Sequence, residues 1–105
     1  MNHIFNEIAA ERKRQTEKWG EQNLPMLPFC FSVKDMKKEE MFYKRLNNEV
    51  NDISWFSIFM EEVCEAFAEP DRERQREEMI QVISVGVQIV EYLDRIINSK
   101  EKNNE

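Results

Sequence analysis

The chain has 105 residues, only two glycines and three prolines, and a formal net charge of −6. That length suits one small domain, and the scarcity of Gly and Pro argues against a β-sandwich or barrel and for helices. The acidic balance opposes binding to nucleic-acid polymers, which takes a cationic surface.

Charged residues make up 34% of the chain, a share compatible with disorder, but the 41% that are hydrophobic fall in periodic runs and call for a folded body. The first run predicts a helix over residues 2–18. Ile4, Phe5, Ile8 and Ala9 share one face of a 3.6-residue period. Arg12, Thr16 and Trp19 continue that face, and Glu11, Lys13, Arg14 and Glu17 lie opposite. Gly20 suits a left-handed helix stop.

Residues 21–33 form a non-helical stretch, because Pro25 and Pro28 push the residues before them out of helical space. Leu24, Met26, Leu27, Phe29 and Phe31 make it apolar for a loop. It is read as a loop laid over the core, or alternatively as a lid or pocket wall. A second helix follows over residues 34–48, with an irregular apolar stripe of Met36, Met41, Phe42, Tyr43 and Leu46. Its basic residues, Lys37, Lys38, Lys44 and Arg45, are read as a solvated face. Asn47, Asn48, Asn51 and Asp52 mark a turn.

Ser54 is placed to cap a third helix over residues 55–69. After the break at Pro70, Asp71 caps a fourth helix to about residue 98, and residues 99–105 form a disordered tail. Gly86 within the fourth helix is a place where a neighbour approaches closely. The helical domain thus covers residues 1–98. No run approaches the length of a membrane span, and no signal-peptide core is present. The expected location is therefore the cytoplasm, and a Cys30–Cys64 disulfide is not expected. Cys64 falls in an apolar pattern as a small core residue.

The acids of the last two helices need a physical account. Glu62 shares a stripe with Trp55, Ile58 and Ala66, because residues four apart stack on a helix. Glu65 sits at the stripe's edge, and Glu61 lies further round toward solvent. On the fourth helix, Glu78 heads a stripe of Val82, Val85 and Ile89, with Gln81 at its margin. Gathering such carboxylates on apolar faces is costly, since burial and like charge both oppose ionisation. Protonation, pairing with Arg72, Arg74 or Arg76, or a bound hard cation such as Mg²⁺ would each offset that cost. No His or Cys cluster points to zinc or iron.

Glu61-Glu62-x-x-Glu65, then twelve residues, then Glu78-x-x-Gln81 resembles the EExxE…ExxD signature of the MazG-like all-α nucleoside triphosphate pyrophosphohydrolases. ERKRQTEKWGEQ (residues 11–22), Trp55, and the run MIQVISVGVQIVEYLD (residues 79–94) are similar to a short phage and bacterial branch of that superfamily; residues 24–51 carry no likeness. The resemblance implies a helical, cytoplasmic dimer or tetramer that hydrolyses nucleoside triphosphates to monophosphate and pyrophosphate with Mg²⁺. It implies Glu62, Glu65 and Glu78 as metal ligands, and Gln81 at the position of the fourth acid. An amide offers a carbonyl oxygen but no charge, so the site would hold its metal less tightly. Glu61 or Glu65 would act as base toward the attacking water.

Lys13, Arg14 and Lys18 are candidates for gripping phosphates, and Trp19 for stacking on a base. The competing accounts are a solvated helix face and, for Trp19, a core aromatic, the preferred one. The expected architecture is all-α, four helices, with the third and fourth antiparallel and the bundle completed by a second copy, because the fourth helix is apolar over more than half its girth. The contrasting expectation is a catalytically weak or inactive helical dimer that binds a nucleotide or a protein.

Overall fold

Among the described residues the chain forms four helices: α1 (Asn2–Trp19), α2 (Val33–Asn48), α3 (Trp55–Ala68) and α4 (Arg72–Asn104). The computed structural model describes residues 2–104; Met1 and the tail's last residue, Glu105, lie outside them. No strand occurs among the described residues. Among the described residues, no helix is long and apolar enough to cross a membrane.

Local chemistry sets the helix ends. Gly20 takes φ +67° and its N–H donates to Thr16 O at 2.8 Å, closing α1. A Cβ added there would meet no atom within 4 Å, so a substitution tests the backbone alone. Gly20→Ala should therefore cost about 1 kcal/mol, a fall of about 4–8 °C in the melting temperature of a domain this size. An unchanged thermal melt would contradict this. Ser32 and Asp35 exchange bonds across a capping box that starts α2 one residue before the expected position; the sequence had not singled out that cap. Ser54 caps α3 as expected, and Ser57 completes its box. Asp71 caps α4: its Oδ2 accepts the Arg74 N–H at 3.0 Å. The helix continues past residue 98 to Asn104, so residues 99–104 are helical rather than a disordered tail.

By its contacts the chain divides into two units, Met1–Pro25 with Val90–Glu105, and Met26–Ile89. In the second unit α2 packs on α3. Tyr43 meets Phe56 edge-on, with ring centres 5.8 Å apart. α3 and α4 meet in opposed order. Gln75 Nε2 donates to Ala66 O at 3.0 Å near the turn, and Gly86 faces Phe59 further from it. A Cβ on Gly86 would sit 3.8 Å from the Phe59 ring. That is ordinary contact, so no close approach requires the glycine. Cys64, Ala66, Ala68, Val82, Val85 and Val87 are buried here, with Ser57 and Gln75 among them. In the first unit Ile4 is buried, and His3 Nε2 lies 3.2 Å from Asp94 Oδ2.

The apolar loop departs from both expectations in part. Phe29 is fully exposed and Leu24 is 74% exposed, so the loop is not laid over a core. Its end does form a wall: Met26, Leu27 and Val33 line a cavity with Phe67, Pro70 and Gln75.

Candidate metal centre

One turn of α3 presents three carboxylates. Glu61, Glu62 and Glu65 each offer an oxygen, and these atoms all lie within 4.8 Å of one another. All three residues are half-buried. Glu61 is thus not the solvent-side residue its helical angle suggested; Asn47 Nδ2 of α2 donates to its Oε1 at 3.1 Å. Glu78 joins from α4, close enough for its charge to act on both Glu62 and Glu65.

The electrostatics are unfavourable as they stand. Burial first, then the charges of Glu61, Glu78 and Glu40, push the Glu62 carboxyl above its ordinary value. Burial first, then Glu78, Glu62 and Glu40, does the same to Glu65. Lys44 offsets part of this at both, but its ammonium is committed to Glu40 Oε2 at 2.8 Å. Glu62 Oε2 and Glu78 Oε2 are buried and accept no hydrogen bond. An acceptor left so costs about 1–3 kcal/mol, more when charged.

Among the described residues, the arginine pairing that would offset these charges is not formed. Arg72 instead donates to Gln75 Oε1 at 2.6 Å. Among the described residues, no arginine makes an ion pair with Glu62, Glu65 or Glu78. Orphaned carboxylate oxygens and an all-oxygen donor set fit a hard divalent cation, which takes carboxylates and water. Glu65 also lines a cavity of about 320 Å³ with Lys37, Glu40, Met41, Ala68, Glu69 and Pro70, at the small end of ligand pockets.

The remaining sequence candidates are Gln81, Lys13, Arg14, Lys18 and Trp19. Gln81 is exposed on α4. Lys13, Arg14, Lys18 and Trp19 belong to the other unit. Arg14 pairs with Glu11, and Lys18 Nζ stands 4.9 Å from the centre of the Trp19 ring. Trp19 is 54% exposed, so its preferred assignment to the core is corrected. It lines a polar cavity with Arg12, Gln15, Thr16, Gly20, Glu21 and Gln22 instead.

Three residues of α2 stand outside the site that the sequence predicted: Glu40, Lys44, which was assigned to a solvated face, and Asn47, which was assigned to a turn. They stand four and three residues apart, the spacing of one helix face, and that spacing was the available signal. Comparison of the chain with protein-family models, with curated proteins and with solved structures finds no match.

Proposed function

We propose that the protein is a Mg²⁺-dependent nucleotide pyrophosphohydrolase, cleaving nucleoside or deoxynucleoside triphosphates to monophosphate and pyrophosphate. The observation that carries this is the convergence of Glu61, Glu62 and Glu65 with buried, unpartnered oxygens on Glu62 and Glu78. The signature those residues resemble supplies the reaction class. In this account the protein has a MazG-like fold, works in the cytoplasm, and removes surplus or non-standard nucleotides.

Glu62, Glu65 and Glu78 would hold the ion, Glu61 would join them from the same turn of α3, and Gln81 would offer at most a carbonyl oxygen. Bound there, Mg²⁺ would neutralise charge on the phosphates and favour attack by water. The chain's own residues do the rest. Of the two candidate bases, Glu65 lines the cavity, whereas Glu61 is tied to Asn47. That favours Glu65 as the proton acceptor from the attacking water.

The functional form is a homodimer or a larger homo-oligomer. α4 leaves Ile80, Ile83, Leu93 and Ile97 about half exposed. Ile83, Val90 and Ile97 recur every seven residues, the period of a helix–helix seam. Light scattering should give a mass of at least twice 12.7 kDa; a monomer at micromolar concentration would contradict the assembly.

The test of function is product analysis over a panel of triphosphates with Mg²⁺. Monophosphate and pyrophosphate in equal amounts support the enzyme. Tight nucleotide binding with no turnover would support the second reading, a helical dimer that binds without catalysis. The amide at Gln81 favours that alternative, because it leaves the site one charge short.

A further inference from the structure

Asn47 is the last residue but one of α2, where asparagine ordinarily marks a turn, yet its side chain joins two helices. Its Oδ1 accepts the Ser57 hydroxyl at 2.6 Å. Its Nδ2 donates to Ser57 O at 3.3 Å and to Glu61 Oε1 at 3.1 Å. Both of those partners are oxygens without a proton to give, and the partner of Oδ1 is a hydroxyl that has one. Only one orientation of the amide satisfies all three, since a flip would set oxygen against oxygen. Ser57 is 1% exposed, and its Oγ receives the Ser54 N–H at 3.0 Å. The chain Ser54 N–H, Ser57 hydroxyl, Asn47 amide, Glu61 carboxylate therefore runs from the cap of α3 to the carboxylate cluster about two turns on.

We propose that Asn47 is a positioning residue: oriented by Ser57, it holds the Glu61 carboxylate where it meets Glu62 and Glu65. The proposal rests on the metal-centre reading above. Partners that orient ligating carboxylates are worth about 10–100-fold in metal affinity when removed. A clamp on one oxygen of Glu61 also fixes its torsions before an ion arrives, so less ordering is left for binding to complete.

The test is a double-mutant cycle on Mn²⁺ affinity, with the full chain at neutral pH. It uses wild type, N47A, E61A and N47A/E61A, each checked by circular dichroism for helix content. N47A is expected to weaken Mn²⁺ binding about 10-fold and to cost nothing further once Glu61 is gone. Equal losses in both backgrounds, or no loss in either, would overturn the proposal, because a merely structural Asn47 does not act through Glu61. Should N47A fail to fold, S57A, which frees the amide to turn, replaces it in the same cycle with the same expected coupling to Glu61. Wild type that takes up no Mn²⁺ overturns the metal reading and this proposal together, and does so before any substitution is made.

Discussion

Glu62→Gln should lower pyrophosphate release by on the order of 10²–10³-fold, the scale seen when one preorganised charge-stabilising group is lost from an active site. The same substitution should stabilise the metal-free protein. Glu62 keeps a buried oxygen that accepts no hydrogen bond, among the charges of Glu61, Glu78 and Glu40. Glutamine keeps the shape, removes the charge and offers N–H groups to acidic neighbours. Relief of about 1 kcal/mol corresponds to about 4–8 °C in melting temperature. A group held for function at a cost to stability gives opposite signs in the two assays. A structural glutamate gives a loss in both, and that result, from one thermal melt and one product assay, would sink the functional role of Glu62.

The second large effect is linkage between metal, pH and stability. Mg²⁺ at a hundredfold excess over its dissociation constant should add about 2.7 kcal/mol, raising the melting temperature by roughly 10–20 °C. The pH dependence should change sign with it. Glu62 and Glu65 have native values raised above the ordinary 4.5. Between that value and the raised ones, the native state binds more protons than the unfolded chain. The contribution of these two carboxyls to metal-free stability therefore falls as pH rises through this window and is greatest below it. With Mg²⁺ the trend opposes this, because a ligating carboxylate must be deprotonated and affinity grows with pH. Melts recorded from pH 4.5 upward, with Mg²⁺ and with chelator, should show slopes of different sign at the acidic end. Parallel curves would mean that no ion is held by these carboxylates.

Particular residues show how far the sequence carried the structure. The helix boundaries were legible because their signals are local: Gly20 as a stop, Ser54 and Asp71 as caps, Pro70 as a break. Ser32 was missed because its partner is Asp35, where the familiar box carries Glu or Gln. Glu62 and Glu78 were legible because each belongs to a regular apolar stripe, and periodicity tells which acids leave the solvent face.

Glu61 was misplaced, and for a physical reason. Helical angle alone sets it toward solvent, but α2 covers that side, and nothing local to α3 announces α2. Asn47 was hidden in the same way: its neighbours Asn48 and Asn51 read as turn residues, and Asn51 does take φ +56°. The contribution of α2 depends on a tertiary contact that its irregular stripe could not reveal. Trp19 and Phe29 failed for the converse reason, since large aromatics are usually buried by area and these are left open.

Everything proposed for function depends on Glu61, Glu62, Glu65 and Glu78 holding a divalent cation. A Mn²⁺ titration of the wild-type protein, followed by the fall in the free-ion electron paramagnetic resonance signal, tests that claim without assuming a substrate. The expected result is saturable uptake, Mg²⁺ competition, and a loss of at least about 10-fold in affinity in both Glu62→Gln and Glu78→Gln. A wild-type signal that tracks total Mn²⁺ with no saturable site would contradict it.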